Sequence, residues 1–161
     1  MKLLKFPWLV LINILKCMDT VDLIKLSSTN RRLREKFTSK INPGGIHVDF
    51  YPTSASIKIG EFCISFDRHA SAYAIPIGNQ TIGPVTINAY CLFRNENKSW
   101  KTVVEDVHTP CLTLAQYCKT IFPKAELESF CFITEWSDEQ YELEESTRQL
   151  LASWSQIFNK F

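Results

Sequence analysis

Apolar residues crowd the first forty positions at a spacing that suits helices. Residues 8–17 carry Trp8, Leu9, Val10, Leu11, Ile12, Ile14 and Leu15. At about 100° per residue they go right round a helix, and only Asn13 and Lys16 interrupt them. Pro7 suits the first turn, since its missing N–H has no partner there and its φ is already helical. A helix apolar on every side must be covered on every side, and a helix at one end of a fold is covered on one side by its own chain; the remainder implies a partner.

Asp19-Thr20 breaks this run and offers a cap, after which Val21, Leu23, Ile24 and Leu26 form a second short amphipathic helix. Thr29 or Asn30 caps a third over residues 31–37, with Leu33 and Phe37 four apart and Arg31, Arg32, Arg34 and Lys36 left in water. Three helices in about thirty residues make a unit too small to fold alone.

Beyond residues 39–45 (SKINPGG), a turn and linker signal, the period changes from helix to strand. Ile46, Val48 and Phe50 alternate with His47, Asp49 and Tyr51. Residues 56–66 (SIKIGEFCISF) predict a β-hairpin turning at Gly60-Glu61, with Ile57, Ile59, Phe62, Ile64 and Phe66 on its buried face. Residues 68–83 show poor periodicity and read as loop. Residues 84–94 alternate most clearly, and 95–98 form a polar turn. Ser99 is expected to cap a helix through Trp100, Val103, Val104 and Val107. Thr109-Pro110, in N-cap and N1 order, predicts another as far as Phe122, stopped by Pro123. A short buried strand over 126–133, an acidic loose stretch over 138–145 and a last helix through Leu150, Leu151, Trp154, Ile157 and Phe158 complete the chain.

The pattern FP-x-x-VL-x-x-IL-x-x-MD-x-x-DL-x-x-LS-x-x-x-RR, running without a gap from Phe6, resembles the F-box. That resemblance implies a three-helix module docking on the small adaptor of SCF-type ubiquitin ligases, and through it on a cullin. The rest of such a chain recruits a protein substrate. Pro7, Val10, Leu11, Ile14, Leu15, Met18, Leu23 and Leu26 fall on the family's adaptor-contact positions. The acidic residue common after the proline is Leu9 here, and the tryptophan common after the paired basic residues is Leu33. The remainder is similar, more loosely, to the type-2 F-box-associated domain. IF-P-K at 121–124 and IF-N-K at 157–160 hint at a repeat of βα units 36 residues apart, and the resemblance implies a domain continuing beyond residue 161.

The fold class expected is α+β: an F-box at residues 1–40, then an α+β domain over 46–161 with an antiparallel strand-rich region and βα units. At 161 residues and 45% apolar content the chain has enough to build a packed core. A net charge of +1 gives no footprint for nucleic acid. The charge is nevertheless uneven, basic over residues 1–40 and acidic over 126–145, so the N-terminus steers acidic partners. The apolar run at the start is shorter than the roughly 20 residues of a membrane span. Lys16 stands just before Cys17, where signal cleavage needs small residues, so neither membrane nor export is expected and the location read is cytoplasmic or nuclear.

Cys17, Cys63, Cys91, Cys111, Cys118 and Cys131 include no C-x-x-C, and His47, His69 and His108 stand at no ligand spacing from them. Reduced thiols and no metal or other cofactor are expected. No phosphate loop, nucleophile elbow or H-E-x-x-H is present. The sequons at Asn79 and Asn97 read as chance. The expectation is a non-catalytic ligase component; the competing reading is a small intracellular cysteine hydrolase or transferase using a pair such as Cys111 with His108 or His69.

Overall fold

A computed structural model describes residues 7–37, 40–71, 74–91 and 99–132, together with Ala152. The expected turn at 95–98, acidic stretch at 138–145 and last helix lie outside the described residues, apart from Ala152.

Three helices come first: α1 (Trp8–Lys16), α2 (Thr20–Thr29) and α3 (Arg31–Phe37). Pro7 occupies the N-cap of α1, one position ahead of its first turn. Asn30 caps α3, its Oδ1 accepting from Leu33 N at 3.2 Å, and Arg31 pairs with Glu35 at 2.6 Å one turn on. Asp19 takes the N-cap of α2 without a side-chain hydrogen bond.

The strands are β1 (Ile46–Phe50), β2 (Ser54–Ile59), β3 (Phe62–Asp67), β4 (Ile75–Ile82), β5 (Val85–Cys91), β6 (Ser99–Val103) and β7 (Leu127–Phe132), with α4 (His108–Ile121) between the last two. They make one sheet in the order β4-β5-β6-β3-β2-β1-β7. Neighbouring hairpins are antiparallel, while β3 with β6 and β1 with β7 are parallel. Parallel strands need a crossover, and the β6–α4–β7 connection is one, set on a largely antiparallel frame, its first strand falling where a helix was expected. Helix α4 lies over β1, β2 and β3, and α2 touches β4 and α4. The fold is α+β.

Period-two alternation places Ile46, Val48, Phe50, Ile57, Ile59, Ile64 and Phe66 on the covered face. Cys111, Leu112, Leu114, Ala115, Cys118 and Ile121 of α4 pack onto them. Leu11, Leu15, Val21, Leu23, Ile24 and Leu33 of the three helices belong to the same core. Lys25 of α2 ties the two parts further, its Nζ donating to Gln80 of β4 at 2.7 Å and standing 4.8 Å above the Trp100 ring of β6.

Two expectations are corrected. Residues 75–82, read as loop, are strand β4. It is an edge strand, exposed at Pro76 and Ile77, and a register irregularity between Pro76 and Gly78 breaks its alternation. Residues 99–103, read as the start of a helix, are strand β6, held between β5 and β3. Trp100, Val103, Val104 and Val107 do recur at helical spacing, but Trp100 and Thr102 are the buried positions and Val103 is exposed. Sheet pairing on both sides outweighs a local helical preference. Helix α4 begins at His108 rather than after a Thr109 cap, because Asp106 Oδ1 accepts from the N–H groups of both His108 and Thr109 at 3.1 Å.

The hairpin turn at Gly60-Glu61 stands where expected, and it clamps the linker. Gly60 has φ +57, its N–H donates to Gly45 O at 3.1 Å, and any Cβ on it would overlap the Pro43 carbonyl oxygen. Gly60→Ala is therefore expected to cost at least about 1–2 kcal/mol, from the left-handed backbone alone. For a chain of this size that lowers the melting temperature by roughly 2–8 °C, readable by calorimetry. An unchanged melt would show that linker and hairpin are not locked together.

Candidate adaptor-docking site

Helix α1 buries one side only. Leu11 and Leu15, four residues apart, are 2% exposed and sit in the shared core. Trp8 is 39%, Leu9 74%, Val10 43% and Ile14 37% exposed. Val10 and Ile14, one turn apart, form an open row along one flank, Leu9 lies on the outer face, and Trp8, three residues before Leu11, falls on the side of Leu11 and Leu15. Ile12 is partly buried and packs against the core. Pro7 is exposed beside this row, and Lys40 Nζ stands 4.5 Å over the Trp8 ring, pinning the indole. Isolated exposed apolar side chains are ordinary on any surface, but a contiguous row on one helix marks an interaction site.

The row runs on to the α1–α2 junction. There a cleft of about 330 Å³ opens between the helices, the linker and the β2–β3 turn, lined by Lys16, Met18, Leu23, Ile41, Pro43 and Phe62 among others. Met18 and Leu26 are half-buried and pack against the core, while Leu23 is buried yet lines the cleft. Of the eight positions singled out in the sequence, Pro7, Val10 and Ile14 thus face solvent and Met18 and Leu23 reach the cleft. Leu26 stands between core and surface, and Leu11 and Leu15 point inward. Sequence reasoning passed over Trp8 and Leu9 as contact positions, and both are exposed; their signal was the all-round apolar character of α1 itself.

An F-box domain is detected at residues 3–43. The match takes in α1, α2, α3 and the linker as far as Pro43, with Ile41 buried in the core. No curated protein and no solved structure matches the chain. F-box domains bind the small adaptors of SCF-type ubiquitin ligases and through them cullins, and the F-box here supports an adaptor-binding F-box protein of that type.

Three of the six thiols are held in their neutral form by burial. All six cysteines are unpaired with one another. Burial pushes the Cys111 and Cys118 thiols far up, and it raises Cys63 as well, so none of the three supplies a thiolate at neutral pH. His108, the nearest histidine in sequence to Cys111, has Nε2 3.1 Å from Tyr51 O and its ring edge-on to Phe50 at 5.4 Å. Among the described residues no group of three or more His, Cys, Asp and Glu side chains could hold a metal ion, and no helix is long and apolar enough to cross a membrane. Under native conditions a maleimide should label exposed Cys17 and Cys131 rapidly, and Cys111 and Cys118 only on unfolding. Labelling of Cys111 at the rate of Cys17, followed by mass spectrometry, would show that its thiol is open and would favour the cysteine reading.

Proposed function

We propose that this chain is a substrate-receptor F-box protein: its N-terminal helices dock on the SCF adaptor, and the sheet from residue 46 onward recruits a protein substrate for ubiquitination. The observation that carries the docking half is the open apolar row of α1, Pro7, Val10 and Ile14, spaced three and four apart and lying within the detected F-box. An apolar partner surface laid over that row is the cover the helix lacks in the free chain. Pro7, Val10 and Ile14 make the direct contacts, Met18 and Leu23 border the cleft that receives the partner's edge, Leu26 backs them from between core and surface, and Leu11 and Leu15 hold the helix in place from beneath. The docking role itself needs no chemistry, no cofactor, no nucleic acid and no membrane, and fits a cytoplasmic or nuclear location.

The substrate-recruiting half rests on organisation. The F-box match ends at residue 43, and the strands begin at Ile46. On this reading residues 1–40 are the docking region and residues 46–161 the recruiting region. The test is co-purification of the full chain with the adaptor, followed by size-exclusion chromatography. A one-to-one complex that also recovers a cullin is expected, and failure to form it with the folded chain would overturn the proposal.

A further inference from the structure

On the far side of the sheet from the helices, three polar side chains converge where β1 meets β7. His47 Nδ1 lies 2.9 Å from Ser129 Oγ, and His47 Nε2 lies 2.9 Å from a carboxylate oxygen of Glu128. Consecutive strand residues ordinarily point to opposite faces. Here the register between β1 and β7 steps by one, pairing Ile46 with Leu127 and His47 with Ser129, so Glu128 is an extra residue in the ladder. That bulge turns Glu128 and Ser129 towards the same imidazole, the kind of re-aiming bulges perform. Gly45 makes the room, since a Cβ there would overlap the Glu128 carboxylate. His47 is partly and Glu128 more than half open to solvent, and β7 is the outermost strand of the described sheet.

A carboxylate only accepts hydrogen bonds, so in the neutral ring Nε2 carries the proton and donates to Glu128. Nδ1 is left with its lone pair towards Ser129, and the serine hydroxyl donates to it. This is a nucleophile held by a base that a third group orients. We propose that Ser129 is an activated nucleophile that takes an acyl group from an ester, with His47 as its general base and Glu128 as the residue positioning the imidazole. Ser129 Oγ bonds to the ester carbonyl carbon while its proton passes to Nδ1. Collapse breaks the ester C–O bond, and the departing alkoxide takes the proton back from the imidazolium. Water then attacks the seryl ester through the same base, releasing a carboxylic acid and restoring the hydroxyl. The activity is separate from adaptor docking and stands whether or not the adaptor binds.

The experiment uses the full chain and a fluorophosphonate probe, with the modified residue located by mass spectrometry. Ser129 is expected to react about 10-fold or more faster than any other serine, and His47→Gln to slow it by about 100-fold, the scale of general-base assistance. In His47→Gly, free imidazole should restore part of the rate, which a merely structural histidine would not allow. Nitrogen-15 shifts of His47 should place its proton on Nε2, with Glu128→Gln letting the tautomers mix. Two results overturn the proposal. One is Ser129 labelled no faster than other exposed serines in the unaltered chain; the other is the Nδ1–H tautomer, in which the ring donates to the serine and cannot take its proton. Both are read on the unaltered chain, so they decide the matter even where a variant fails to fold.

Discussion

With Val10 and Ile14 both changed to aspartate, the chain is expected to keep its melting temperature and lose the adaptor. Val10 is 43% and Ile14 37% exposed in the free protein, so a carboxylate at either can reach water, and the two cost the fold far less than a charge at a buried position. In the complex each would be pressed against an apolar surface with no partner, and leaving a charge buried and unpaired at an interface costs about 2–5 kcal/mol. Even the lower figure per site, taken once for each residue, lowers affinity by close to 1,000-fold. Leu11 and Leu15 give the opposite result. Placed by the resemblance among the adaptor-contact positions, they are the two α1 side chains sunk in the core that the sheet shares. Their change to aspartate should unfold helices and sheet together. Paired measurements of adaptor affinity and thermal melting separate the cases, and full-strength binding by the Val10/Ile14 variant would sink the docking surface assigned here.

That contrast marks where sequence reasoning runs out. The gapless F-box pattern, strand β1, the Gly60-Glu61 hairpin, strand β5 and helix α4 were legible because in each one periodicity dominates its window and turn residues bound it. The orientation of α1 was not. A helix apolar on all sides carries no mark of which side faces inward, and the choice falls to packing against the rest of the core. Strand β4 was hidden because an edge strand needs only one face covered and tolerates proline and glycine; β6 was hidden because most of its pairing is parallel to β3, a stretch of chain well before it, with Cys63 opposite Ser99 and Asp67 opposite Val103. His47 and Ser129, 82 residues apart, meet only through the parallel pairing of β1 with β7, and no local signal announces it.

The shared core also decides how the F-box behaves when cut away. Ile24 is wholly buried, with Val21, Leu23 and Leu33 nearly so. Lys25 reaches over to Gln80 and Trp100, and the Gly60 turn closes on Pro43 and Gly45. A peptide of residues 1–43 loses all of this. Its helices have 9, 10 and 7 residues, below the roughly 12–15 at which isolated helices become even marginally stable. Its length is close to the limit of about 40 residues under which chains need disulfides, metals or partners to fold. The peptide should therefore be mostly coil by circular dichroism. It should bind the adaptor more weakly than the full chain by about 30-fold or more, since folding on the partner consumes about 2–5 kcal/mol of the contact energy. Docking and recruiting regions would then be two functions of one folding unit, with the sheet fixed in orientation relative to the adaptor through α2. A helical 1–43 peptide that binds as tightly as the full chain would show instead that the F-box stands by itself, and that the contacts of α2 with β4 and α4 are dispensable.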